Sequence, residues 1–380
     1  MTNLLLSVSG TLSNIFYIFV AILMLLLMIT IHEFGHYIAG KKLGFKINEF
    51  AIGFGKKLYS KKLKNGEEFS LRLFPLGGYC AFEGEDKDSE NKDAYNNQKP
   101  WKRLIVLVAG ATFNFLSAII FAVILLTAYG YEIPQIVTVE ENLDGSIINT
   151  NYVVEQVGDT YYGIQVGDVV YGVNGEKIDF VNDHTLNYLV TQYEPGEEFV
   201  LNIERNGQKI DTVVTLFAVP VLDELGNPVL NDITGLPEYS NIMGITIKPY
   251  AFPFFQALAR SIPFAFKMAW KILVFLGMLI IGKASFSAVG GPITTITTIA
   301  TYTQASLAGF LVLLPLIAIN LAVFNLLPFP ALDGARMVFV GVEWIRKKPI
   351  NPKVEGYIHF VGLVLLLTLV VIADVFKLFT

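Results

Sequence analysis

The chain is poor in the residues from which most soluble enzymes are built. It holds one cysteine, Cys80, in 380 residues; an internal disulfide is excluded, and the thiol is expected to be a packed side chain on a reducing face. Charge is scarce as well, with 16% of residues charged against 53% hydrophobic and a mean hydropathy of +0.53. A chain solvated over its whole surface is thereby excluded, which leaves the membrane class. There is no glycine-rich phosphate loop, and the basic clusters flank apolar runs, so nothing points to a nucleotide or nucleic-acid function. The first thirteen residues carry no charged side chain; without a basic n-region, a cleaved signal peptide is not expected. Only four histidines occur, and the place of each is informative.

What the chain has in abundance is long apolar sequence. Runs of 18 or more apolar residues are read as transmembrane helices, and four are predicted, over about 14–39, 104–128, 307–327 and 357–376. A fifth stretch, "AFKMAWKILVFLGMLIIG", within about 252–283, carries Lys267 and Lys271. It suits a helix lying at or dipping into the interface better than a span. Residues 41–103 hold fourteen basic residues, and the 333–355 loop holds Arg336, Arg346, Lys347, Lys348 and Lys353, whereas residues 130–262 hold nineteen acidic and five basic residues. The rule that basic loops stay inside puts the first two segments in the cytoplasm and the third outside, with both termini outside. The expected division is 1–130 and 307–380 as two halves of a membrane domain, 131–220 as an outer domain, and 221–306 as a connecting region.

Inside the first apolar run lies "IHEFGHYIAG". Ionisable groups in a span are costly and functional by default. On a helix His32 and His36 share a face and converge on one ion, while Glu33 is offset enough to reach a metal-bound water. H-E-x-x-H is the zinc-hydrolase spacing; a pair of buried, hydrogen-bonded histidines is the competing reading. A catalytic zinc needs a third protein ligand and an open position. The third span ends in "NLLPFPALDGARM", where Pro328 and Pro330 unwind the helix and let Asp333 turn back toward the bundle. Asp333 is the natural third ligand, against the alternative of an ordinary turn aspartate before Gly334. Asn325 is a candidate for steadying the developing oxyanion or the substrate backbone, with interhelical hydrogen bonding as its rival role. For Asn114, packing is favoured. His359, in the fourth span, is the one competing ligand and is expected to serve packing instead.

HEFGH in the first span, together with Asn325, Pro328, Pro330, Leu332, Asp333 and Gly334 in the third, resembles the site-2 protease family of zinc intramembrane metalloproteases, in its bacterial RseP-type branch. "IGFGKKLYS", "FPLGGYCAFEGE", "AGATFNF" and "VGGPI" fall in the family's order, so the resemblance covers nearly the whole chain. It implies His32, His36 and Asp333 as ligands to one Zn2+ per chain, and Glu33 as catalytic acid and base. Two departures are Ala111, where the family usually has proline, and Ala335, where glycine is common.

A transmembrane substrate must be opened before attack. Residues 48–82 read as a β-hairpin turning at Asn65 and Gly66. Strand addition to it would hold an extended substrate, with Gly53, Gly55, Leu71, Leu73, Gly77 and Gly78 as candidate contacts; a surface hairpin without catalytic importance is the alternative. In the outer segment "YYGIQVGDVVYGVNGEKI" resembles a PDZ domain, with Gly167 and Asp168 at its binding loop and Asn174 and Gly175 at a tight turn. One such domain fits, to filter substrates by bulk or to bind a C-terminus, and His184 within it is expected to be a solvated surface residue.

The expected fold is thus an α-helical polytopic membrane protein with four transmembrane helices, a fifth at the interface, a membrane-associated β-hairpin and an inserted α+β PDZ domain. By resemblance it sits in a bacterial cell membrane and cuts single-span proteins near the cytoplasmic face: anti-sigma factors already trimmed outside by a site-1 type protease, and remnant signal peptides. The alternative from another class is a membrane scaffold in which a PDZ domain binds envelope proteins and zinc is structural.

Overall fold

The computed structural model describes residues 2–85, 89–131, 134–139, 163–178, 185–194, 196–220, 229, 239–242, 245–285 and 289–377. The expectation for His184, and most of the expected outer domain before Gly163, lie outside the described residues. In chain order the elements are α1 (Thr2–Leu43), β1 (Ile47–Lys62), β2 (Glu68–Phe82), α2 (Pro100–Ala128), β3 (Pro134–Val139), β4 (Val169–Val173), β5 (Glu176–Lys177) and α3 (Leu186–Val190). They continue with β6 (Glu198–Arg205), β7 (Gln208–Thr215), β8 (Phe217–Pro220), β9 (Tyr239–Ile242), β10 (Ile245–Pro249), α4 (Phe254–Ile280), α5 (Pro292–Ala305), α6 (Leu307–Leu326), α7 (Asp333–Arg346) and α8 (Pro352–Lys377). They form two compact units, Met1–Leu125 with Phe255–Thr380, and Leu126–Phe254.

Among the described residues of the chain, five helices are long and apolar enough to cross a membrane: Ser13–Leu43, Pro100–Ala128, Phe254–Ile280, Leu307–Leu326 and Lys353–Val375. The chain is a multi-pass membrane protein. The stretch expected at the interface, α4, meets the same criterion, yet its buried residues Ala257, Ser261, Phe264, Ala265 and Met268 recur at helical spacing on one face. α6 stops where the sequence makes it stop. Leu327 is extended (φ −66°, ψ 141°), as a residue before proline must be, and the chain passes through the Pro328–Ala331 turn before α7 starts at Asp333.

β1 and β2 are long and folded on themselves. Glu49, Phe50, Ala51 and Ile52 pair on one side with 78–81 and on the other with 68–71, while 57–62 pair with 68–72. Two strands thus supply four sheet segments, in the order 57–62, 68–72, 49–52, 78–82. Phe45, Ile47, Cys80, Phe82, Tyr95 and Val106 form a buried cluster beneath this sheet; it joins α1, the strands and α2, and burial pushes the Cys80 thiol pKa up.

The second unit is a sheet in the order β10-β3-β4-β6-β7, with β5 on β4. Its core is built from alternate residues of β6, Phe199, Leu201 and Ile203, with Val170, Val173, and Leu186 and Leu189 of α3. The positive φ angles of Asn174 and Gly175 (49° and 79°) make the two-residue turn into β5.

Candidate metal centre

On α1 His32 and His36, one turn apart, project from one face and are 7% exposed each. α2 presents a matching row at a spacing of four. The Val106 carbonyl lies 2.8 Å from His36 Nδ1, Gly110 lies under both rings, and Asn114 lies 3.4 Å from His32 Nδ1. A Cβ on Gly110 would come within 2.5 Å of His36 Nε2 and 2.7 Å of His32 Cε1. The helices therefore approach closely because side chains are missing there; Gly35 packs in the same way on the Ala109 carbonyl.

The Pro328–Ala331 turn swings Asp333 into this site. His32 Nε2 is 2.9 Å and His36 Nε2 is 3.2 Å from Asp333 Oδ2, and the two Nε2 atoms are 3.1 Å apart. Among the described residues, His32, His36 and Asp333 are the cluster able to hold a metal. His36 Nδ1–H donates to Val106 O, so its Nε2 carries a lone pair. The fully buried Asn114 carboxamide faces His32 Nδ1 with its Nδ2, while its Oδ1 has no hydrogen-bond partner; exchanging the two ends of the amide puts Oδ1 there to accept an Nδ1 proton, which leaves His32 Nε2 its lone pair. Three lone-pair atoms then face one point with no donor between them, the arrangement a cation completes. A tetrahedral zinc with donors at about 2.0–2.2 Å sets neighbouring donors about 3.3 Å apart; the observed triangle has only to open by a few tenths of an ångström, and the residues fit the metal. Hydrogen bonds that orient metal-ligating imidazoles are the usual support of such sites.

Beside the cluster is a pocket of about 280 Å³ lined by Ile29, His32, Glu33, Asn114, Leu321, Asn325, Ala331, Leu332 and Asp333. Glu33 and Asn325 thus share one cavity with two of the expected ligands. Glu33 Oε2 accepts a hydrogen bond from the Cys80 N–H of β2 at 3.1 Å, which fixes the carboxylate against the outermost sheet segment. A Cβ on Gly78 would lie 3.7 Å from Glu33 Cγ, placing this glycine next to the site. Gly53, Gly55 and Gly77, at φ +86°, +83° and +155°, shape the bends of the strands. Leu71 pairs on both sides, with Ile52 and Tyr59, and is exposed, as is Leu73; neither lines the pocket. In the second unit Gly167 (φ +98°) has open space beside it. The Asp168 carboxylate is taken up by Arg205, at 2.7 Å, and by the Gln165 N–H. His359 lies outside the metal-ligating cluster; its Nδ1 accepts from the Ala331 N–H at 3.0 Å.

Reading the sequence alone missed the part of Gly110 and the Val106 carbonyl, and underrated Asn114. The available signal was their spacing of four on one helix, with a glycine in the middle of a long apolar run. At the departures from the family pattern, Ala111 is buried in an unbroken α2 and Ala335 is buried in the first turn of α7.

A multi-pass membrane protein with paired helical histidines, an aspartate and an adjoining glutamate defines the class of membrane metallohydrolases. Residues 20–369 match the model of peptidase family M50, and the chain belongs to that family, the site-2 proteases; it is a metalloprotease. It is 28% identical over 444 residues to zinc metalloprotease RasP of Oceanobacillus iheyensis, covering 94% of this chain and 98% of that one. It is 26% identical over 433 residues to the regulator of sigma E protease of Haemophilus influenzae, covering 93% and 96%. A Helicobacter pylori protein provisionally named a zinc metalloprotease is 32% identical over 356 residues, covering 90% and 93%. Family membership favours the protease over the scaffold alternative.

Proposed function

We propose that this chain is a zinc-dependent intramembrane endopeptidase that cuts membrane-spanning segments near the cytoplasmic face, with one Zn2+ held by His32, His36 and Asp333. The observation that carries the reading is that Glu33 lines one pocket with His32 and Asp333 of the three-residue cluster while its carboxylate accepts from the Cys80 N–H of β2. Zinc bound there supplies Lewis acidity for a peptide carbonyl and acidifies a coordinated water. Glu33, oriented by the Cys80 N–H, takes the proton from the attacking water and delivers it to the leaving amine. Asn325, in the pocket wall, donates to the developing oxyanion. The segment 78–82 offers its edge, next to Glu33, for an opened substrate to add as a strand, with Gly77 and Gly78 at its start, packed on the Phe54 ring and the Ala51 carbonyl.

Residues 131–220 form a PDZ domain on the outer side that screens substrates by bulk, with Gly167 and Asp168 at its binding loop. The names RasP and regulator of sigma E protease, carried by relatives, support substrates of the single-span anti-sigma class after a first outer cut by a site-1 type protease, and remnant signal peptides. Basic residues at 41–103 and 333–355 support a bacterial cell-membrane topology with four crossings, both termini outside and α4 at the interface. The test is Glu33→Gln in purified protein with a panel of single-span substrates. The variant keeps about one zinc per chain and loses cleavage by at least about 10²- to 10⁴-fold; cleavage at a rate comparable to wild type would refute the mechanism.

A further inference from the structure

Asp333 reaches the histidines only because the turn before it takes an unusual shape. Ala331 has φ +86°, in the left-handed region that favours glycine and that an alanine adopts only when its surroundings hold it there. Two points on α8, one turn apart and so on one face, press on this turn. The Ala331 N–H donates to His359 Nδ1 at 3.0 Å, and Gly362 packs its bare Cα on Pro330, leaving no space for a side chain. The His359 ring is held in turn by Phe339 of α7, edge to face at 5.4 Å between centroids. Its other nitrogen, Nε2, is buried without a hydrogen-bond partner, 3.9 Å from Glu355 Oε1 and beyond hydrogen-bond reach of it. The imidazole is therefore committed to the turn through Nδ1.

We infer that His359 is a positioning residue, which clamps Ala331 in its left-handed conformation and thereby holds the Asp333 carboxylate at the metal. The inference rests on the reading of Asp333 as a ligand. Loss of the clamp lets Ala331 relax to negative φ and carries Asp333, two residues on, away from His32 and His36. An asparagine at 359 presents its carboxamide oxygen near the place of Nδ1 and can accept the same hydrogen bond; a glutamine presents its polar atoms near the place of Nε2 and cannot.

The experiment measures zinc affinity of the full-length protein in detergent by competition with a chelator, and the absorption spectrum of the Co2+-loaded protein. His359→Ala is expected to weaken zinc binding roughly 10- to 100-fold, as loss of residues that orient metal ligands does, and to alter the cobalt spectrum. His359→Asn restores both, and His359→Gln does not. In an Ala331→Gly background, where the left-handed conformation costs nothing, His359→Ala is expected to cost less by at least about twofold. If Asp333→Ala abolishes zinc binding while His359→Ala leaves it at the wild-type level, the ligand stands and the clamp is overturned. Rescue by glutamine in place of asparagine would also overturn it, because that would give the role to Nε2. Full zinc binding in Asp333→Ala would instead refute the ligand assignment itself.

Discussion

Convergence of lone pairs is affordable only where something positive fills the gap, and at this centre the packing around the imidazoles decides whether it forms. Replacing glycine by alanine inside an exposed helix stabilises by about 0.5–1 kcal/mol. At Gly110 the opposite sign is expected, because the new methyl would lie 2.5 Å from His36 Nε2 and must displace an imidazole or part α1 from α2. Gly110→Ala is expected to lose bound zinc and cleavage together. Gly341→Ala on α7, where a Cβ meets nothing within 4 Å, leaves both unchanged. Zinc content and cleavage rate of the two variants check the prediction; full zinc in Gly110→Ala would show that the rings have slack. His32, Glu33, His36 and Asp333 were legible in the sequence because ionisable groups in apolar sequence stand out and their spacing is local. Gly110 and Val106 were not, since one acts by lacking a side chain and the other through its backbone carbonyl.

Among the elements, the folded strand pair shows what pattern reading reaches and where it fails. The Asn65–Gly66 turn and two flanking strands could be read locally. The doubling of each strand at positive-φ glycines, which moves Leu71 to an inner segment and 78–82 to the outside, depends on pairing between distant residues and leaves no period to detect. Glu49 ties the segments together: it accepts from Ser70 Oγ at 2.6 Å, Arg72 Nη2 at 2.8 Å and Tyr79 Oη at 3.0 Å. Burial raises the Glu49 pKa, but these three donors outweigh it and hold the carboxyl at about 2, and Tyr79 is pushed up to about 12, by burial first and then by its bond to Glu49. A depressed carboxyl stabilises the fold fully above its unfolded value, about 4.5, and the contribution is lost as pH falls toward 2. Backbone hydrogen exchange across 47–82 should therefore speed up relative to α2 between pH 5 and pH 3. In Glu49→Gln that pH dependence should be absent; its persistence would assign the effect elsewhere.

For the whole molecule, the meeting of His32, His36 and Asp333 constrains how often the chain crosses the membrane. Asp333 follows the end of α6 and meets His36 near the end of α1, while His36 bonds to Val106 near the start of α2. α1 and α6 thus bring their C-terminal ends to one face, and an even number of crossings separates α2 from α6. α5 supports the same count. Its last turn reaches the start of the apolar span of α1 (Ser13–Leu43), with Gln304 Nε2 3.3 Å from Asn14 Oδ1, and its first turn is capped by Asp374 late in α8. Both contacts belong to the face opposite the metal. A full crossing by α4 would need a second crossing before α6, and α5, with 14 residues, is shorter than the about 20 residues a helical span needs. Length and hydropathy alone left α4 ambiguous, because they carry no information about which helix ends meet. In a Cys80→Ser background, an impermeant thiol reagent applied to intact cells should modify Lys283→Cys and Asn206→Cys, but leave Asn65→Cys and Lys348→Cys unmodified until the cells are opened. All four positions are exposed on the protein surface, so protection reports the side of the membrane and not burial. Protection of Lys283→Cys together with labelling of Asn206→Cys would make α4 a true span and break the parity argument. Labelling of Asn65→Cys and Lys348→Cys with protection of the other two would invert the protein and put the metal centre at the outer face.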